Sequence, residues 1–375
     1  MAIMIRILTD AAPPLKPPLP SAPRGCYIYV SRPTQETITR VAGFVRIQEG
    51  SRDALNFHKS SYVGNQPMNS FSLRNMTPDD RDEVARLIFH STNGYYVSIG
   101  RDPIFRGDPL SPGVMFDVYQ RIDPGKGLVA VDDDSGEIIG SCFVHPRETH
   151  VSLGIMNSHA EHFGRGVARA LLQRIVDDAT AAGKPVRLVS SCFNLDSYSL
   201  YTRAGFVPFM TFQDMYLEVP ESGLAHGPPP GIAVRQATPD DVDAMAALER
   251  DISGITRMAD YRYFIQNEDE LWHVSVVQGA HGLDGFLVSC GSAVLNMIGP
   301  GVARTEDQAA ALMYAQLNMY RGRMPVFLLP VACGGLVRQL YAWGARNCEM
   351  HVAQVHGQAQ PPRGVLLPTF LPETG

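Results

Sequence analysis

The stretch HFGRGVARALL, His162 to Leu172, puts two glycines and two arginines at the mouth of an apolar helix. Glycine is a poor helix former and cannot fill a core. Its use at a helix start is to let something touch the backbone. A helix N-terminus leaves backbone N–H groups unpaired and carries partial positive charge, so anions bind there, phosphates above all. Gly164 and Gly166 clear the approach for a pyrophosphate, and Ala168 keeps the next turn small. Arg165 and Arg169 add positive charge. Phe163 and Val167 complete the loop. A dinucleotide site would want a third glycine where Arg169 stands and an acidic residue ending the next strand, which here ends SSCFN. A nucleoside triphosphate site would want Gly-Lys-Ser/Thr, which is absent. Coenzyme A is the remaining common pyrophosphate carrier, and a tight strand-to-helix turn without a ligand is the plain alternative.

The elements that position this loop can be read along the chain. The 375 residues suggest two or three domains, and 45% hydrophobic with 19% charged residues is the balance of a soluble globular protein. A net charge of −6 argues against a general nucleic-acid binder. No apolar run is long enough for a membrane span, and the N-terminus is too short in apolar residues for a secretory signal. The six cysteines form no CxxC pair, which points to free thiols in a reducing cytoplasm and to no metal site. Residues 1–67, with AAPPLKPPLPSAPRG, read as a flexible proline-rich extension. Met68, directly ahead of a far better domain beginning, offers an alternative translation start.

That beginning is FSLRNMTPDDRDEVARLI: a short alternating strand, then Thr77-Pro78-Asp79-Asp80 as cap and first turn of a helix. It is written again as AVRQATPDDVDAMAALE, pairing Arg74 with Arg235, Thr77 with Thr238 and Asp80 with Asp241 at a constant offset. A match over strand, cap and helix implies a duplicated domain. Between the copies VPESGLAHGPPPG, 219–231, reads as a stiff polar linker. Within the first copy a hairpin (127–132 and 138–145), a strand (149–157), the glycine loop with a helix to Ala182, a strand in PVRLVSSCF and a helix ending at Gly205 follow in order. Two last strands are expected at 206–210 and 212–218. The fold class is therefore α/β (α+β), each domain a mixed, mostly antiparallel sheet flanked by helices.

NLDSYSLYTRAGF, Asn194 to Phe206, adds the second signal. With it the sequence resembles the GNAT superfamily of N-acetyltransferases over about residues 70–218. That family has Arg/Gln-x-x-Gly-x-Gly/Ala opening a helix after its fourth strand, Asn after the fifth, and Leu-Tyr-x-x-x-Gly-Phe downstream. Gly166 and Ala168 fit the loop, Asn194 the asparagine, and Leu200, Tyr201, Gly205 and Phe206 the last block. Phe163 departs from the Arg/Gln position, where Arg165 could compensate. The resemblance implies a catalytic domain at 68–218 and acetyl-CoA as co-substrate. It places the cofactor along Met156, Asn157 and Ser158, over the loop 163–169, and beside Asn194 and Ser197. Tyr201 matches the tyrosine that protonates the CoA sulfur; its phenol is a donor at neutral pH. The bland reading of Tyr201 is a ring in the core.

The general base is less marked. Relatives carry Glu or His on the fourth strand, and alternation puts 150, 152, 154 and 156 on one face. Ser152 and Gly154 are no bases. His150 shares their face and could act through water, or be a surface residue. His159 and His162 read as cofactor-rim residues.

Residues 232–353 resemble a second, eroded GNAT domain, as in bacterial tandem GNAT proteins. GPGVAR, Gly299 to Arg304, echoes the loop, but Pro300 removes an N–H, and Thr305 with Gln308 makes a capping box that starts the helix later. This half is expected to carry no catalysis; RMADYRYF, 257–264, is a candidate wall of the acceptor pocket. Residues 354–375 read as a tail. The expected activity is acyl-CoA-dependent N-acyl transfer to a small-molecule amine, without nucleic-acid or membrane partners and with a homodimer left open. The rivals are a CoA- or metabolite-binding module without turnover, and an aminoacyl transferase, against which the lack of a basic stripe argues.

Overall fold

Arg74 donates from both terminal nitrogens to Asp80 at 2.7 Å, and Asp80 accepts from the Thr77 N–H at 2.7 Å. Arg235, Asp241 and Thr238 repeat these contacts at 2.7, 2.7 and 2.8 Å. The duplicated cap is thus duplicated in three dimensions, each copy opening a helix after a short strand. The computed structural model describes residues 70–369; the extension expected over 1–67, Cys26 with it, and residues 370–375 lie outside the described residues.

The first half runs β1 (Phe71–Asn75), α1 (Arg81–Ser98), α2 (Gly113–Ile122), β2 (Leu128–Asp132), β3 (Ile138–Pro146), β4 (Val151–Ser158), α3 (Val167–Ala181), β5 (Val186–Ser191), α4 (Leu195–Arg203) and β6 (Val207–Tyr216). The second repeats the order: β7 (Val234–Gln236), α5 (Val242–Ser253), α6 (Met258–Gln266), β8 (Trp272–Gly279), β9 (Gly282–Cys290), β10 (Met297–Ala303), α7 (Glu306–Leu317), β11 (Val326–Pro330), α8 (Gly334–Ala342) and β12 (Arg346–His356), with β13 (Val365–Leu367) added.

All strands of the described residues join one sheet in the order β1-β2-β3-β4-β5-β12-β6-β11-β10-β9-β8-β7, with β13 against β10. The last strands of the halves are exchanged. β12 of the second half pairs with β5 of the first, and β6 of the first pairs with β11 of the second. Every pairing is antiparallel except β4 with β5 and β10 with β11. α1 and α2 share one apolar cluster with α5 and α6, from Val84 and Phe116 to Met245 and Phe264, while α3 closes the other face of the first half through Leu171, Leu172 and Ile175.

The structure corrects several boundaries. The two strands expected at 206–210 and 212–218 are one, β6; its Pro208 is absorbed where the β12 register shifts between Ala353 and Gln354. Helix α2 was not expected. Val219 and Leu224, in the supposed linker, are buried against the second half. β12 runs to His356 and β13 follows, so the chain beyond 353 belongs to the sheet.

Candidate active site

β4 and β5 pair only at Val151 with Val186 and Ser152 with Arg187. Beyond that they part. The cause is a bulge: Cys142 opposes Met156 and Val144 opposes Leu153, so Gly154 and Ile155 together face Phe143. A bulge bends the strand that carries it. Gly154 must be glycine, since a Cβ there would lie 2.9 Å from His145 Nε2 and 3.0 Å from Phe143 Cβ. The edge of β4 from Met156 through Ser158 therefore has no β5 partner on that side, an open slot lined by backbone N–H and C=O groups.

The slot runs into the glycine loop. Gly164 and Gly166 hold φ of +84° and +85°, a left-handed conformation that disfavours any side chain, and a Cβ at either would meet nothing within 4 Å. Gly166 caps α3, and Ala170 is the residue whose N–H bonds back to Gly166 O. The N–H groups of Val167, Ala168 and Arg169 thus have no intrahelical acceptor. A third glycine seats this helix end on the sheet: a Cβ on Gly140 would lie 2.4 Å from Val167 Cγ1.

Side chains around the loop divide. Phe163 is 67% exposed, and Arg169 is exposed with no ion pair among the described residues. Arg165 is committed elsewhere: its guanidinium binds Asp132 at 2.7 Å and Ser70 Oγ at 2.6 Å, so the compensation expected for Phe163 is not made by this side chain. The Ser135 N–H first, then Arg165 and the Asp134 N–H, hold the Asp132 carboxyl down to about 2. Asn157 donates to the Ser91 and Thr92 hydroxyls of α1. Asn194 caps α4 by accepting from the Ser197 N–H at 3.0 Å. Tyr201 is 6% exposed, its ring 5.8 Å from that of Phe206.

His150 does not reach the slot. It is fully buried just ahead of β4, at the level where β4 and β5 are still paired. Its ring nitrogens lie 3.1 Å from Thr149 Oγ1 and 3.1 Å from Ser152 Oγ. Burial, then Arg187, Arg257, Arg147 and Lys184, hold its pKa well below the ordinary value. The alternation that placed it toward the reaction is broken by the bulge, and the second half covers it. Within RMADYRYF, Arg257, Asp260, Tyr261 and Phe264 are buried, with Asp260 accepting from Arg147, so these four pack between elements rather than stand open as an acceptor wall.

Sequence reasoning missed the polar group at the open end of β5. Exchanged strand β12 brings Glu349 there, buried, where it accepts from Ser191 Oγ and, at 3.1 Å, from the Tyr96 hydroxyl of α1. Asp214 of β6 and His351 stand beside it, their donor atoms within 4.8 Å of one another. Burial pushes Asp214 up to about 6, and burial holds His351 well below the usual imidazole range. Two carboxylates and an imidazole so spaced would fit a cation, metal or ammonium. The alternation of Glu349 and His351 in NCEMHV was visible, but nothing local said that this strand would lie beside β5.

Residues 96–206 match the model of the acetyltransferase (GNAT) family. A solved structure of a candidate acetyltransferase from Pyrococcus horikoshii superposes over 83% of this chain and 99% of its own, with TM-score 0.60 and 16% identity. A GCN5-related N-acetyltransferase from Sphaerobacter thermophilus covers 78% and 96% at TM-score 0.54 and 17% identity. A tandem GNAT protein from the clavulanic acid biosynthesis pathway covers 77% and 100% at TM-score 0.50 and 14% identity. Residues 96–206 thus carry a GNAT-family match, and the chain as a whole has the fold of a tandem GNAT structure. The family matched over 96–206 is one of acetyltransferases, which supports acetyl transfer as the general class of activity. No curated protein matches the chain by sequence. Among the described residues no helix is long and apolar enough to cross a membrane.

The second half repeats the geometry of the first. β10 and β11 pair only at Met297 with Val326 and Ile298 with Phe327, as β4 and β5 do at two positions. Here the continuing edge of β10, Gly301 to Ala303, is paired by β13. Gly299 and Gly301 lie within the strand, and α7 starts after the Thr305–Gln308 capping box, as the sequence implied. The second slot is filled by the chain itself.

Proposed function

We propose that this chain transfers an acyl group, acetyl in the first instance, from acyl-CoA to a primary amine of a small molecule, by direct attack in a ternary complex. The observation that carries this reading is the β4–β5 slot running into a helix start with two open, positive-φ glycines. Backbone groups of Met156, Asn157 and Ser158 would line the pantetheine. The loop from Phe163 to Arg169 would hold the pyrophosphate through N–H groups of its first turn, with Asn194 and Ser197 across from it. Acetyl-CoA supplies the activated thioester.

The amine must lose a proton, and the thiolate must gain one. Glu349 is the carboxylate best placed for the first task, at the end of β5 and oriented by Tyr96 and Ser191. With Asp214 beside it, the site suits an acceptor that arrives as an ammonium ion. Tyr201 is the proposed donor to the sulfur. Its burial favours a second reading, a CoA-binding protein without turnover. One experiment separates them. Purified full-length chain is titrated with acetyl-CoA, then assayed for thiol release across a panel of primary amines, beside Tyr201→Phe. An enzyme binds one acetyl-CoA per chain and loses turnover in the variant while keeping affinity. Binding without thiol release from any amine supports the second reading, and no binding ends both.

A further inference from the structure

Glu349 does not stand alone at the open end of β5. Tyr96, whose hydroxyl binds it, follows Tyr95 on α1, and the two rings meet edge to face with centres 5.7 Å apart. The Tyr95 hydroxyl donates to Phe193 O at 2.6 Å. The Phe193 N–H donates in turn to Ser191 Oγ at 3.0 Å, and the Ser191 hydroxyl is the one that Glu349 accepts from. Tyr95 and Phe193 are thus pinned beside the carboxylate by a closed run of hydrogen bonds. Both rings keep open surface: Tyr95 is half-buried and Phe193 is 37% exposed. Arg101 stands on the outer side. Its N–H donates to Tyr96 O at 2.9 Å, and its guanidinium carbon lies 4.5 Å from the centre of the Phe193 ring. It is exposed and forms no ion pair among the described residues.

The chemistry therefore changes along a short line. Buried carboxylates, Glu349 and Asp214, stand at the inner end, two aromatic rings follow, and a guanidinium lies at the surface. An ammonium head gains beside the carboxylates. A ring gains from leaving water and from contact with aromatic partners. A second ammonium at the far end would meet Arg101, and like charges so placed repel. A small hydroxyamine would leave both rings in water. We infer that the acceptor is a primary monoamine carried on an aromatic body. Its ammonium lies at Glu349 and Asp214, its ring against Tyr95 and Phe193, and its far end, neutral or anionic, beside Arg101. This inference rests on the transfer reading proposed above and narrows its acceptor; polyamines and short hydroxyamines are disfavoured.

The test uses the full-length chain with acetyl-CoA and reads thiol release with phenethylamine, cadaverine and ethanolamine. The kcat/KM for phenethylamine should exceed that for either of the others by about 10-fold or more. Phe193→Ala should shrink the advantage over ethanolamine by about 10-fold, mainly through the KM for phenethylamine. Arg101→Glu should raise cadaverine relative to phenethylamine by about 3- to 10-fold at low ionic strength. Should Phe193→Ala fail to fold, Arg101→Glu, altered at an exposed side chain, decides. Cadaverine or ethanolamine turned over as well as phenethylamine overturns the inference and leaves acyl transfer standing. So does an aromatic preference kept in full by Phe193→Ala, or a cadaverine ratio that Arg101→Glu does not move. Thiol release with no amine at all overturns the transfer reading itself, and the acceptor inference with it.

Discussion

Replacing Gly166 by alanine has two separable costs. The residue sits at φ +85°, so an L side chain is strained, at about 1–2 kcal/mol. Nothing in the protein lies within 4 Å of the new methyl group, so no steric cost adds to this. For a chain of this size each kcal/mol lowers Tm by about 2–4 °C. The second cost appears only with ligand. The methyl projects at the cap of α3, where phosphate oxygens would meet the N–H groups of its first turn. Hydrogen bonds to a charged group are worth about 1.5–3 kcal/mol each, so displacing one should weaken acetyl-CoA by about 10- to 150-fold. Gly183, past the other end of the same helix, provides the control. It has φ +67° and equally open space. Fifteen helical residues put it about 20 Å away. Gly183→Ala should cost similar stability and leave affinity untouched. Tm by calorimetry and Kd by titration read the two effects independently. Equal acetyl-CoA affinity in both variants and wild type would refute the loop as the pyrophosphate site.

Glu349→Gln should lower amine-dependent thiol release by about 10²- to 10⁴-fold, with acetyl-CoA affinity measured by titration unchanged. Asp241→Asn tests the duplicated cap: Arg235 and then the Thr238 contacts hold the Asp241 carboxyl down to about 2, below its unfolded value. Its stabilisation is therefore present above about pH 4 and is lost as pH falls from there toward 2. Because Arg235 is 43% exposed, the effect is about 1 kcal/mol at neutral pH. Thermal melts should show the variant less stable at pH 7 and level with wild type near pH 2. Leu367→Asp buries a charge in β13, where Leu367 is 2% exposed; it should cost about 3 kcal/mol or more in denaturant melts without creating a second acetyl-CoA site.

What could be read in the sequence was local. The Thr-Pro-Asp-Asp caps and the Thr305–Gln308 box each act within a few residues and stand as read, and the glycine loop opens a helix where the sequence put one. The spacing of Met115, Phe116, Val118, Tyr119 and Ile122 behind Pro112 is a local sign of α2 as well. Pro208 made one strand look like two, because a register shift that tolerates proline leaves no sign in the strand itself. His150 was misplaced because alternation assumes an unbroken strand. Glu349 was missed because strand pairing between distant segments has no local signature.

The exchanged strands decide how far the second half can be called inert. β13 fills its slot, so it has no opening like that between β4 and β5. Yet β12 is the strand that completes the sheet beside β5, and β6 completes the sheet beside β11. Neither half, cut within 219–231, keeps the partner of its fifth strand. An unpaired β5 would leave a row of buried N–H and C=O groups without partners. The same pairing sets Glu349 against Ser191. The second half therefore has two physical roles whatever its own slot does: it closes the first half's sheet, and in the proposed reaction it delivers the carboxylate that meets the amine.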